Sequence, residues 1–319
     1  MSHAYVLVEH AAGQLSDTTA ELITAARPLG AVSAVVVGAP GVAEKLAPEL
    51  AQLGAAQVVD ASAADYDQRL ILPEVDALHG LGAANPAPMV IAASAAGNEI
   101  AGRLAARLAS GALYDVTAIN ADRTAEHSIF GGKMTTTAQA AGTCPIFTVR
   151  PGAVVAEPVA AAGAVAAMPL PAATAKDVQV IGFTPAEVSD RPDLVSAKTV
   201  VAGGRGVGDA EGFANVVEPL ADVLGAAVGI TRDVADEGHY DAAHQIGQTG
   251  VTVSPDLYIG LGISGAIQHT AGMQTAGTIV VVNQDQDEPF FKIADLGVVG
   301  DLHEIAPALT REIQARRGQ

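Results

Sequence analysis

The chain has 319 residues, enough for two domains, and half of it is hydrophobic, ample for buried cores. Lys+Arg number 17 against 35 Asp+Glu, a net charge of −18, which argues against the phosphates of nucleic acid and an anionic membrane surface. The single cysteine, Cys144, excludes a disulfide framework and a cysteine-based zinc site, and it fits a reducing compartment.

There is no Trp, with five Tyr and six Phe, so the cores must be built from Ala, Val, Leu and Ile, and aromatic stacking on nucleobases is disfavoured. The opening MSHAYVLVEH lacks the basic and long apolar regions of a targeting segment. The most apolar stretch, Ala153 to Pro169, is broken by Glu157, Pro158 and Gly163. The sequence therefore predicts a soluble, cytoplasmic protein.

In chain order, Tyr5 to Val8 predicts a strand. Ser16 to Leu29 predicts a helix capped by Ser16 or Asp17. Val32 to Val37 is a strand closed by Gly38-Ala-Pro40, Val42 to Leu53 a helix, and Gln57 to Val59 a short strand. Pro88 to Ala93 is a strand, Asn98 to Ala109 a helix, and Ile146 to Val149 closes the first unit. This alternation means parallel pairing through right-handed crossovers. Gly152 to Thr174 is rich in Ala, Val, Pro and Gly and is taken as a connector. A strand-like run follows at Val178 to Ile181, and breaker residues at Asp190 to Asp193 place a domain boundary near residue 187.

The pattern then restarts. Thr199 to Ala202 is a strand that runs into Gly203–Gly208. Glu211 to Leu224 is largely helical, with Pro219 as an interruption. Ala226 to Val228, Leu257 to Ile259 and Thr278 to Val282 are strands. Ile263 to Met273 holds a short helix, and His303 to Arg317 is a terminal amphipathic helix. The fold class is α/β, with two Rossmann-like or flavodoxin-like parallel-sheet domains, residues 1–187 and 188–319.

Several motifs fall at the ends of these strands. Gly204, Gly206 and Gly208 have GxGxG spacing. Their backbone amides and Arg205 suit a phosphate or pyrophosphate, and the alternative is a tight turn with a solvated arginine. Gly262-Ile-Ser-Gly-Ala266 resembles a nucleophile elbow but ends in Ala266, and His269 follows on the same short helix, so a serine hydrolase is rejected. Here Ser264 is expected to cap the helix, leaving the amides of Gly265, Ala266 and Ile267 to face an anion. Gln245 to Gly250 is a polar loop, suited either to the edge of a planar heterocycle or to a plain surface turn. Arg232 and Asn283 end strands where α/β sheets place ligands, or else are satisfied turn residues. His239, Asp241 and His244 lack facing ligands for a metal, and Cys144 reads as a buried small hydrophobe.

Taken together, residues 199–310 closely resemble the α subunit of electron transfer flavoproteins. The matching runs include Val200-Val-Ala-Gly-Gly-Arg-Gly206, Gln245 to Gly250, Gly262-Ile-Ser-Gly-Ala-Ile-Gln-His269 and Gly297-Val-Val-Gly-Asp-Leu302. In the first half, Val6 to His10, Gly102 to Leu108, Tyr114-Asp-Val116 and Thr148 to Pro151 are similar to the family's first domain.

The resemblance implies FAD in the second domain. It also implies a heterodimer with a β subunit that holds AMP and is contacted by the N-terminal domain. Electrons would pass from acyl-CoA and related dehydrogenases, as in fatty acid β-oxidation, to a membrane quinone oxidoreductase. A bifurcating, NADH-linked relative is the alternative, and a nucleotide-binding interaction protein without redox work is a third reading.

The resemblance assigns Arg205 to the pyrophosphate or the neighbouring FAD backbone, and the amides of Ser264, Gly265, Ala266, Ile267 and Gln268 to the phosphates. The loop of Ile246, Gly247, Gln248 and Thr249 supplies contacts, Gln248 and Thr249 near the flavin N5 and O4 edge. His269 goes to the N1/O2 side and Arg232 over the ring, favouring an anionic semiquinone. Asn283, Asp301 and Leu302 are assigned to the ADP half. Thr231 stands where the family usually has Ser, and Ile246 where Val is common.

Overall fold

The computed structural model describes residues 2–11, 13–130, 132–175, 177–184 and 191–318. The chain divides into two compact units, Met1–Pro185 and Ala186–Gln319. The boundary expected near residue 187 and the breaker Asp190 lie outside the described residues. Among the described residues no helix is long and apolar enough to cross a membrane.

The first unit opens with β1 (His3–Val8), the short β2 (His10–Ala11) and β3 (Gln14–Leu15), α1 (Thr18–Ala26) and β4 (Ala31–Gly38). It continues through α2 (Val42–Leu53), β5 (Ala55–Ser62), α3 (Leu72–Ala84), β6 (Met89–Ala92) and α4 (Ala95–Leu108). Next come β7 (Ala112–Val116), β8 (Ala118–Ile119), β9 (Thr124–Ile129), β10 (Met134–Gln139), β11 (Ile146–Val149) and β12 (Ala164–Ala167). Seven strands form one parallel sheet in the order β12-β5-β4-β1-β6-β11-β7.

Side chains alternate across this sheet. Val6 and Val8 pack with Leu22 of α1 and Leu46 of α2, while Tyr5 and Leu7 pack with Leu78 of α3 and Leu104 of α4. Both faces are thus covered by helices, as a parallel sheet requires. Cys144 is buried.

Four local expectations are corrected here. Neither Ser16 nor Asp17 caps α1 through its side chain. Asp17 is itself helical (φ −57°, ψ −30°), and Ser16 Oγ bonds Thr18 Oγ1 instead. The helix expected to reach Leu29 gives way at Arg27 to a 3₁₀ turn containing Pro28. Within the expected connector, β12 pairs with β5 and extends the sheet. The run at Val178 to Ile181 is not a strand: it makes one isolated bridge, Gln179 to Arg69. Arg69 is buried and ion-paired to Asp76 and Asp177, which fastens this segment to α3. A three-stranded antiparallel sheet, β10-β9-β8, was not anticipated.

The second unit contains β13 (Thr199–Gly203), α5 (Ala210–Gly212), a π turn (Phe213–Val217), α6 (Glu218–Leu224), β14 (Ala227–Ile230) and α7 (Arg232–Asp236). It ends with β15 (Leu257–Leu261), α8 (Ile267–Thr270), β16 (Thr278–Asn283), β17 (Leu296–Val299) and α9 (Leu302–Arg317). The sheet is parallel, in the order β14-β13-β15-β16-β17. One face packs on α6 and α9. The other is covered by irregular chain that contributes Ile246, Met273 and Phe290.

Pro219 sits in the first turn of α6, directly after the π turn. A proline donates no hydrogen bond and its ring crowds the carbonyl four residues back, here that of Asn215; the wider π turn relieves both. Pro219→Ala is therefore expected to change the unfolding free energy by less than about 1 kcal/mol, as measured by urea denaturation.

Candidate cofactor site

β13 and β15 are neighbours, and the chain order along the sheet reverses between them. In open α/β sheets ligands bind outside the strand carboxyl ends at such a switch point. Here those ends lead into the two glycine-bearing loops, Gly204–Gly208 and Gly262–Gln268.

The loops meet backbone to backbone. Gly204 N donates to the Leu261 carbonyl at 2.9 Å and Gly206 N to the Gly262 carbonyl at 3.1 Å. A Cβ on Gly204 would lie 2.4 Å from the Gly262 carbonyl oxygen, so only glycine fits there. The amides of Gly204, Gly206, Val207 and Gly208 all donate within the protein. The glycine amides that the sequence offered to a phosphate are thus spent in a tight turn, and among the described residues only the Arg205 amide of this loop donates to no carbonyl. Its Arg205 is exposed, and among the described residues its side chain makes no hydrogen bond or ion pair.

The second loop does supply amides. Those of Ser264, Gly265, Ala266, Ile267 and Gln268 donate to no carbonyl among the described residues. Ser264 is not the helix cap. α8 begins at Ile267, Ala266 occupies the cap position, and the left-handed Gly265 (φ 85°) turns the chain before it. Ser264 instead accepts the Phe290 amide on its carbonyl at 3.1 Å.

The polar loop forms another wall. Gln248 N donates to the Gln268 carbonyl at 2.9 Å, and Gln245 Nε2 to Thr249 Oγ1 at 2.9 Å. Asn283 Nδ2 donates to the Ile263 carbonyl at 3.1 Å and braces the second loop. Thr231 is buried after β14, and among the described residues its Oγ1 has no partner. Arg232 pairs with Asp236 at 3.1 Å, one turn along α7. Both side chains are 63% exposed, so the pair contributes little and leaves Arg232 free to exchange partners.

His269 departs from its expected role. Its Nδ1 lies 3.1 Å from the Ile246 carbonyl and its Nε2 2.7 Å from the Tyr258 hydroxyl. Burial pushes its pKa down to about 4, only partly offset by the Ile246 bond. It is a neutral wall residue with both nitrogens engaged, offering neither charge nor a free nitrogen to the N1/O2 side.

These groups surround one cavity of about 610 Å³, within the range of small-molecule and cofactor sites. It brings together Arg205, Thr231 and Arg232 with Ile246, Gly247 and Thr249. Ser264, Ala266, Gln268, His269 and Asn283 of the expected set also line it. The side of the second loop carrying Gly265 and Ile267 is outside this lining, as is Gln248. Asp301 and Leu302 are not brought to it. Asp301 caps α9, accepting His303 N at 2.8 Å, and Leu302 is core. Asp233, Asp236 and Glu288 also line the cavity, which sequence reasoning missed. The acidic run ending at Glu288 was the only signal.

Two family profiles cover most of the chain. The "Electron transfer flavoprotein domain" matches residues 4–178, and the "Electron transfer flavoprotein FAD-binding domain" matches residues 193–274. The chain belongs to the electron transfer flavoprotein α-subunit family. Proteins named electron transfer flavoprotein subunit alpha from Mycobacterium leprae and Mycobacterium tuberculosis are 52% and 55% identical to it over 319 residues, covering all of both chains. One from Paracoccus denitrificans is 40% identical over 300 residues, 93% of this chain and 95% of its own.

The FAD-binding match spans β13, both glycine loops, Thr231, Arg232 and His269, and ends before Asn283. The residues present fit FAD. Its pyrophosphate is an anion, and the cavity is lined by Ser264, Ala266 and Gln268, whose amides are free, and by Arg205. Its polar ring needs hydrogen-bonding groups, and the unpartnered Thr231 Oγ1 is one.

Proposed function

We propose that this chain is the α subunit of a cytoplasmic electron-transfer heterodimer. FAD is held in its second unit, the first unit contacts the β subunit, and the β subunit holds AMP. The complex takes electrons from acyl-CoA and related dehydrogenases and delivers them to a membrane quinone oxidoreductase. The observation that carries the reading is the switch-point cavity, with Ser264, Ala266 and Gln268, whose amides are free, and Arg205 in its wall together with Thr231 and Thr249. Bound FAD would supply one- and two-electron chemistry.

The protein's own part is binding and electrostatics. The free amides and Arg205 give the phosphates local positive potential in a chain whose net charge is −18. Thr231 and Thr249 orient the polar ring edge. Arg232 is a permanent cation, so it favours whatever negative charge the ring acquires.

Co-expression with a β subunit tests this. The expected product is a one-to-one yellow complex, reduced by an acyl-CoA dehydrogenase and its substrate. A colourless complex that stays so after incubation with FAD overturns the reading. Two flavins per heterodimer with NADH oxidation would point to the bifurcating alternative. Arg205→Ala is expected to weaken FAD binding about tenfold at low salt. The gap to the wild-type chain should narrow as salt rises, in a fluorescence titration of flavin-free protein.

A further inference from the structure

We infer that Tyr258 is a positioning residue for the cofactor site: its hydroxyl donates to His269 Nε2 and holds the imidazole in the cavity wall as the Nδ1–H tautomer. This rests on the reading of the cavity as the flavin site.

Two bonds determine the tautomer. The Ile246 carbonyl can only accept, so His269 Nδ1 carries the proton. In the neutral ring Nε2 then has a bare lone pair, so the 2.7 Å contact is donated by Tyr258. Tyr258 is fully buried as the second residue of β15, paired on one side with Val200 and on the other with Ile279. Among the described residues its hydroxyl has no other partner. Phe290 closes the remaining side, its ring 6.2 Å from both the His269 and Tyr258 rings at steep angles.

Phenylalanine would fill nearly the same volume without burying a hydroxyl. The tyrosine is therefore explained by its bond, not by packing. Through His269 the bond ties two walls of the cavity, helix α8 and the polar loop at Ile246, to strand β15 behind them. The other charged groups facing the cavity are Arg205, Arg232, Asp233, Asp236 and Glu288. The first four are exposed and Glu288 is half-buried, so none replaces Tyr258 at Nε2.

The test is long-range ¹H–¹⁵N NMR of the imidazoles in the full-length chain, co-expressed with its β subunit and stripped of flavin. His269→Phe assigns the signal. In the wild-type chain the proton is expected on Nδ1, with no titration down to about pH 5. A proton on Nε2 in the wild-type chain overturns the inference, however any variant folds. In Tyr258→Phe the Ile246 carbonyl keeps the proton on Nδ1, and the lost donor to Nε2 should raise the titration midpoint by about one pH unit. FAD binding should weaken about fivefold, the equivalent of one hydrogen bond. An unchanged midpoint in a folded Tyr258→Phe chain also overturns it. A wild-type complex that takes up no flavin overturns the proposed function instead and leaves the NMR result standing.

Discussion

Gly204→Val is expected to weaken FAD binding at least about 100-fold and to cost the second unit roughly 3 kcal/mol of stability. The cause is steric. The new Cβ would lie 2.4 Å from the Gly262 carbonyl oxygen and 2.9 Å from Ile263 Cα, both backbone atoms that no rotamer change moves. Either the two loops part, opening the cavity floor and breaking the Gly206 to Gly262 hydrogen bond, or β13 and β15 shift in register. Flavin titration reads the first quantity, and hydrogen exchange of the β13 and β15 amides in flavin-free protein reads the second. Wild-type affinity in Gly204→Val would mean that the cavity between these loops is not the flavin site.

The second unit should also lose stability as the solution is acidified, because of His269. Its folded pKa lies near 4 against an ordinary 6.5, so the unfolded chain binds a proton that the folded chain refuses. The stabilisation is complete above about pH 6.5, falls as the pH drops, and is lost by about pH 4. The difference corresponds to about 3 kcal/mol. Exchange rates of β15 amides at about pH 7 and pH 4.5 measure it, after correction for intrinsic exchange. His269→Phe should flatten this dependence, even though it leaves the Tyr258 hydroxyl unpartnered and lowers stability at every pH. An equal pH slope in the two proteins would show that the fold does not shift the titration of His269.

Much of the architecture was legible locally. Helix α2 runs from Val42 to Leu53, and strand β11 from Ile146 to Val149, both as read. Glycines flank the first, and the second is a short β-branched run. Strand β12 was not legible, because Ala164–Ala167 has the composition of a linker and is a strand only by pairing with β5. The β9–β10 hairpin was missed because Met134–Gln139 is nearly all exposed, without the alternation that marks a half-buried strand. At the site, the positions of the loops followed from strand ends and glycines. Asp301 was assigned to the ligand by sequence similarity, whereas its side chain caps α9.

By itself, then, the sequence determined two parallel α/β units and the loops at the switch point of the second. These depend on residue patterns a few positions long, set by the periods of helix and strand. Tertiary structure alone decided which amides stay free, that the Gly204 loop spends its own, and that His269 is neutral. The physical reason is that hydrogen-bond satisfaction and desolvation depend on partners distant in the chain. Leu261 and Gly262 close the first loop, and Ile246 and Tyr258 hold the histidine.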